Sequence, residues 1–153
     1  MAKISRPWHG ATMTPEEPKP LSTFYLILAG ISGLMSVGMA ALGSHALEGK
    51  LQPGGDTLIE QASLFQLAHA ICLIALFFTY ASAPVILART LRLSAAGFAF
   101  GLLLFCLPIY WLGINGPGSL GPFSILTPIG GVGFLIGWAG LSFAGLRYAT
   151  AQR

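Results

Sequence analysis

The side chains that could do chemistry in this sequence are few, and two histidines stand out among them. His69 lies three positions from both Gln66 and Cys72, and this spacing places all three side chains on one face of a helix. His45 lies upstream at the end of the first helix, and the loop after it continues with Glu48, Asp56 and Glu60. In an apolar environment a neutral histidine donates one hydrogen bond and accepts another. We therefore expect His69 first of all to join helices.

Two functional interpretations of the histidines stay open beside the structural one. Histidines on neighbouring helices can be axial ligands of one haem iron, so His45 and His69 could bind haem b inside a bundle. That site needs both imidazoles at similar depth, and His45 is expected to be the shallower. The pair could instead handle a quinone, protons or a metal ion together with Glu48, Asp56 and Glu60. No cofactor or metal motif supports these ligands, so the sequence predicts neither a metal nor a cofactor.

Composition excludes most soluble classes of protein. The chain has 153 residues, of which 54% are hydrophobic and 8% charged, whereas a soluble domain has about 25% charged residues. Its net charge of +3 comes from scattered cations, which argues against nucleic-acid binding. The sequence contains no phosphate loop or nucleophile elbow, and its two cysteines fit neither a disulfide framework nor a zinc site. We therefore expect a non-enzymatic protein of the lipid bilayer.

Long stretches without charged residues predict the fold. They run from Leu21 to Leu47, from Gln61 to Ala88 and from Leu93 to Leu146. The third stretch is too long for one spanning helix and is interrupted by a turn signal at residues 115–118. The sequence therefore predicts an all-α fold, an integral membrane four-helix bundle. Its helices are expected near residues 23–43, 61–83, 93–112 and 128–146.

The distribution of cations predicts the orientation of this bundle. Seven of the eight Lys and Arg residues lie at one end, and only Lys50 lies in a loop at the other. The positive-inside rule then places both termini and the loop with Arg89 and Arg92 on the cytoplasmic side. The predicted location is the inner membrane of a cell, or of a mitochondrion in a eukaryote. Tyr110 and Trp111 are expected at the opposite interface.

Two prolines and a threonine carry expectations about individual helices. Pro108 lies inside the third helix, where it should free the carbonyl group of Leu104 and bend the helix axis. Thr127 is expected to cap the fourth helix, with Pro128 in the first helical position.

Small residues are expected to pack the helices, because lipid gives them no hydrophobic reason to associate. Each row of small residues packs either against another helix of the same chain or against a partner subunit. The sequence does not tell which row makes which contact. The rows are Ser32, Ser36 and Ala40 on the first helix, Gly97 and Gly101 on the third, and Gly133 and Gly137 on the fourth.

The chain divides into a proline-rich arm of residues 1–22, a transmembrane domain of residues 23–147 and a tail of residues 148–153. The arm is expected to be extended and to contact a partner. Small size, scarce polar groups and glycine-rich helices favour an accessory subunit of a larger membrane complex, with a respiratory complex as the leading candidate. A small-ligand binding protein and an oligomeric channel or carrier remain the alternatives.

Three segments together resemble the domain-of-unknown-function 423 family, small four-helix membrane proteins whose eukaryotic relative is transmembrane protein 256. The resemblance extends from about Thr23 to Arg147 and implies an inner-membrane protein without an established activity or cofactor. The chain differs in its extra N-terminal residues and in Ser44 and Phe65, where the family leads us to expect alanine and tyrosine. The three segments are Gly43-Ser44-His45-Ala46-Leu47, Phe65-Gln66-Leu67-Ala68-His69-Ala70, and Thr127-Pro128-Ile129-Gly130-Gly131 with Gly137-Trp138.

Overall fold

The computed structural model of the protein describes residues 20–151, which form helices joined by short loops. Residues 1–19 of the predicted arm, with their expected partner contact, and residues 152–153 of the tail lie outside the described residues. The α-helices are α1 (Pro20–Ala41), α2 (Gly55–Ala81), α3 (Val85–Gly101), α4 (Leu107–Asn115) and α5 (Leu126–Ala151).

Four helical segments are long and apolar enough to cross a membrane, which confirms the all-helical membrane fold predicted from the sequence. A π-helical turn, Leu42–Ala46, extends α1, and a second one, Leu102–Cys106, joins α3 to α4. A 3-10 turn, Gly121–Ile125, leads into α5. The first to fourth spans cover Thr23–Ala46, Gly55–Ala81, Ile86–Asn115 and Gly121–Ala151.

The second span begins earlier than the sequence pattern indicates, at Gly55 rather than near Gln61. Asp56 and Glu60 therefore occupy the first turns of α2, where the free N–H groups of the helix favour negative charge. These two carboxylates interrupt the uncharged stretch from which the sequence predicts the helix, so the hydropathy pattern does not include its first turns. As a consequence, His69 lies near the middle of the second span.

Pro108 accounts for the irregular backbone of the third span. It has no N–H for the carbonyl group of Leu104, and its ring would clash with that carbonyl in a regular α-helix. The backbone widens into the π turn Leu102–Cys106 directly before α4, which relieves this conflict. Gly130 packs against the widened turn, because a Cβ atom there would lie 2.8 Å from the carbonyl oxygen of Leu104.

Glycines bring the third and fourth spans into backbone contact. A Cβ atom on Gly97 would lie 2.7 Å from the carbonyl oxygen of Gly133 and 2.8 Å from the amide nitrogen of Gly137. The buried rings of Phe98 and Phe134 fill the space beside these glycines. The glycine rows of these two spans are therefore used within the chain.

Burial and charge are unevenly distributed over the four spans. The first span contacts chiefly the second, and the fourth chiefly the third. Only 17% of the most apolar stretch of the first span is buried, against 50% for the third span. Charges lie at the two ends of the bundle. We call them the acidic end, with Glu48, Asp56 and Glu60, and the basic end, with Arg89, Arg92 and Arg147.

The glycine contacts predict the effect of a single methyl group. We expect Gly97→Ala to force the third and fourth spans apart and to lower the free energy of unfolding by about 1–3 kcal/mol. Gly145→Ala is the matched control, since nothing lies within 4 Å of the added atom and alanine favours the helix. Equilibrium unfolding in mixed micelles measures both variants, and equal stability of the two would contradict the packing described above.

Candidate functional site

The imidazole of His69 is buried, with 5% of its surface exposed, and both of its ring nitrogens are engaged. Nδ1 lies 2.7 Å from the carbonyl oxygen of Phe65, and Nε2 lies 3.2 Å from the indole nitrogen of Trp138. A carbonyl oxygen only accepts and an indole N–H only donates. His69 is therefore a neutral imidazole that donates from Nδ1 to the second span's own backbone and accepts at Nε2 from the fourth span.

Aromatic rings surround this imidazole. The ring of Phe134 stacks on it with centroids 3.6 Å apart and planes 15° apart. Phe98 and Phe65 lie further away, at 5.3 Å and 5.9 Å between centroids. The rings come from the second, third and fourth spans, so the histidine lies where these three spans meet. Their apolar surfaces exclude alternative hydrogen-bond partners from the imidazole.

A second group of polar contacts lies one turn closer to the acidic end. The hydroxyl of Tyr110 donates to Oε1 of Gln66 at 2.6 Å, and its oxygen lies 3.3 Å from the hydroxyl of Ser63. Ser36 donates to the carbonyl oxygen of Ser63 at 2.8 Å. These contacts join the first, second and third spans through buried groups.

Ser63, Gln66 and His69 follow one another at three-residue intervals on α2, and we call them the polar seam. Each member of the seam contacts a different set of neighbours, and together they reach every other span. Lipid supplies no hydrogen bonds, so a buried polar atom costs free energy unless it finds its partner in the protein. The seam makes the second span the centre of the bundle.

The structure does not bring His45 and His69 together. His45 is exposed in the π turn Leu42–Ala46 at the acidic end, whereas His69 lies near the middle of its span. Within residues 20–151, no hydrogen bond or ring contact joins the two histidines. No group of three His, Cys, Asp or Glu side chains in the same part of the chain is arranged to hold a metal ion.

Thr127 does not cap the fourth helix, contrary to the expectation from the sequence. The helical segment already begins at Gly121, where the positive φ of 52° is available to glycine, and Thr127 therefore lies inside α5. Its Oγ1 atom is buried without a hydrogen-bond partner in the described part of the chain. Pro128 is the third residue of α5 instead of the first. Gly131 has only an ordinary contact, with the ring of Phe105 at 3.7 Å.

Sequence reasoning missed the roles of Tyr110 and Trp138. Tyr110 was expected at the membrane interface beside Trp111, but it is 5% exposed and faces the polar seam, whereas Trp111 is 52% exposed. Trp138 belongs to a sequence motif that does not indicate its partner, and in the structure it donates the hydrogen bond to His69. The three-residue spacing from Ser63 to His69 was the available signal, because a polar row inside a span requires donors from other spans.

The fold and its buried hydrogen bonds define a small four-span membrane protein whose second span holds the other three. Comparison with known families then assigns the chain. It belongs to the family described as "Protein of unknown function (DUF423)", whose match covers residues 39–131. The resemblance found from the sequence motifs is thereby confirmed.

Curated relatives match along nearly their whole length. A UPF0382 membrane protein of Staphylococcus epidermidis is 32% identical over 127 residues, which cover 82% of this chain and 97% of the relative. The UPF0382 membrane protein YwdK of Bacillus subtilis is 30% identical over 126 residues, or 81% and 97% of the two chains. A UPF0382 membrane protein of Haemophilus influenzae is 29% identical over 123 residues, or 80% and 94%. No solved structure matches the chain.

The contact between Trp138 and His69 predicts a stability effect at one hydrogen bond. Trp138→Phe keeps an aromatic ring but leaves Nε2 of the buried imidazole without a donor, and we expect a loss of about 1 kcal/mol in unfolding free energy. Trp111→Phe, at an exposed ring, is the control. In a double-mutant cycle with His69→Leu, the two losses should not add; full additivity would contradict the hydrogen bond.

Proposed function

We propose that this protein is a non-enzymatic accessory subunit of a larger membrane complex, and a respiratory complex is the first candidate to test. The observation that supports this most is a contrast within the bundle. The polar seam of the second span is satisfied by the other spans, while most of the first span is uncovered. The polar groups of its interior are paired within the chain, while one span leaves most of its surface free for contact. This is expected of a protein that works by packing against other proteins.

His69 is better suited to holding helices than to binding a cofactor. Ligation of haem iron through Nε2 would require the loss of the hydrogen bond from Trp138. It would also require displacement of Phe134, which lies flat on the imidazole. His45 is exposed in the π turn Leu42–Ala46, whereas His69 is buried within α2, and this placement does not favour a shared iron with the two histidines as axial ligands.

The centre of the bundle also argues against a pore or carrier path within one chain. The side chains of Leu73, Phe98 and Leu102 are almost fully buried there and pack against one another. The described part of the spans between the two charged ends carries no Asp, Glu, Lys or Arg that could bind a charged substrate.

The subunit proposal predicts how the protein migrates when it is solubilised. In mild detergent, the protein from its own membranes should migrate in stoichiometric amounts with a larger complex, as measured by native electrophoresis and mass spectrometry. A variant that lacks residues 1–19 should be retained less well if the arm is a contact. Migration of the full chain alone, at the mass of a monomer, would refute the proposal.

We further propose that the protein lies in the inner membrane with its basic end, and both termini, on the cytoplasmic side. Arg89, Arg92 and Arg147 lie at the basic end, whereas the acidic end has Lys50 as its cation in the described part of the chain. Cations beside spans are retained in the cytoplasm during insertion.

This orientation predicts a labelling pattern. In intact cells, a membrane-impermeant maleimide should label Pro53→Cys at the acidic end but not Ser82→Cys at the basic end, and both should be labelled after lysis. Pro53 and Ser82 are both exposed in loops or at a helix end, which makes them a matched pair. Cys72 and Cys106, which lie inside spans, are replaced beforehand by alanine. The reverse pattern would invert the proposed topology.

A further inference from the structure

A groove lies between the first and second spans at the acidic end. Its volume is about 470 Å³. Ser36, Ile59 and Ser63 are its buried lining residues. Asp56 and Glu60 line the part of the groove nearer the acidic end, which we call its upper part, and the rest of the lining consists of serine and apolar residues.

One wall of this groove belongs to a longer row of residues on the first span. The row alternates steps of four and three residues, the spacing at which one helix packs along another. Nothing lies within 4 Å of the position that a Cβ atom would take on either glycine of the row. We call this row the small-residue seam; it consists of Leu26, Gly30, Gly33, Val37, Ala40 and Ser44.

The open glycines favour a helix over lipid as the occupant. Acyl chains are flexible and adapt to any side chain, so glycine brings no advantage against lipid and weakens the helix that contains it. A rigid helix requires small residues in order to approach closely. In the third and fourth spans, Gly97, Gly133 and Gly137 have such a neighbour, whereas Gly30 and Gly33, like Gly38 and Gly145, have none within the described residues. Gly30 and Gly33 differ from the other two open glycines of the spans because they lie in one row with the groove-lining residues of the first span.

The charges of the groove specify the chemistry of that helix. Asp56 and Glu60 make no ion pair within residues 20–151, and the ammonium group of Lys50 donates to the carbonyl oxygen of Ala46. A second copy of this chain would bring Glu48, Asp56 and Glu60 with a single lysine to the same end, which sets like charges against each other. A different protein with Lys or Arg at this level is complementary.

We infer that the groove and the small-residue seam bind a transmembrane helix of another subunit, which carries Lys or Arg beside Asp56 and Glu60. This inference rests on the proposed function, and it names the surface and the chemistry of the contact. The partner helix lies along the first span, with its small or apolar residues against Gly30 and Gly33 and its cation in the upper part of the groove.

The experiment places a photo-crosslinking amino acid at Val37, in the seam, or at Ile31, an exposed position of the same span off the seam. In native membranes, Val37 should capture a spanning segment with Lys or Arg at its acidic-end side, and Ile31 should capture lipid. Glu60→Lys should lower the yield from Val37 about tenfold, and replacing the partner's cation by glutamate should restore it. Gly33→Leu should also abolish capture, whereas Gly38→Leu, equally open but off the seam, should not.

The outcomes separate this inference from the subunit proposal. Capture of lipid alone from Val37, or capture of a second copy of the chain, would overturn the inference. If the protein migrates with a complex but Val37 captures no segment of it, the groove assignment fails while the subunit proposal stands. If it migrates alone, both fail. If Val37 captures a partner helix but replacing the partner's cation by glutamate does not restore the yield lost in Glu60→Lys, the proposed ion pair between the partner's cation and Glu60 is refuted.

Discussion

The bundle depends on one constraint: a polar atom buried in hydrocarbon has no water and must find its partner within the protein. Ser63, Gln66 and His69 place three such groups on one face of the second span. Their side-chain partners come from the third and fourth spans, and the first span reaches the seam through Ser36, which donates to the backbone carbonyl oxygen of Ser63. Each of these helices must therefore turn a particular side toward the second. Four apolar helices could pack in many rotations, and the polar seam selects one.

Glycines make the hydrogen bond to His69 geometrically accessible. Gly133 and Gly137 bring α5 against the backbone of α3, and each is followed directly by an aromatic residue. Phe134 and Trp138 thereby reach the imidazole, one by stacking and the other by its indole N–H. Close backbone packing and the polar contact are thus two consequences of the same glycine–aromatic repeat.

Polar residues and glycines also occur on the first span, but of these two types only polar residues pack inside the bundle there. Ser36 is used in the interior, but Gly30 and Gly33 face open space, and the acidic groove beside them makes no ion pair in the described part of the chain. The buried polar groups of the second span are paired within the chain, whereas this side of the first span has open glycines beside unpaired carboxylates in the described residues. It is on this side that we propose a neighbouring helix packs.

The sequence by itself determined that this is a membrane protein with four spanning helices, because the absence of charge over long stretches is a local property. Spacing alone also placed Gln66 and His69 on one face of a helix. Only the tertiary structure decided the hydrogen-bond partners of His69, the burial of Tyr110 and the uncapped position of Thr127 inside α5. These features depend on how each span is rotated and where it begins, and hydropathy, which averages over all faces of a helix, contains no information about rotation.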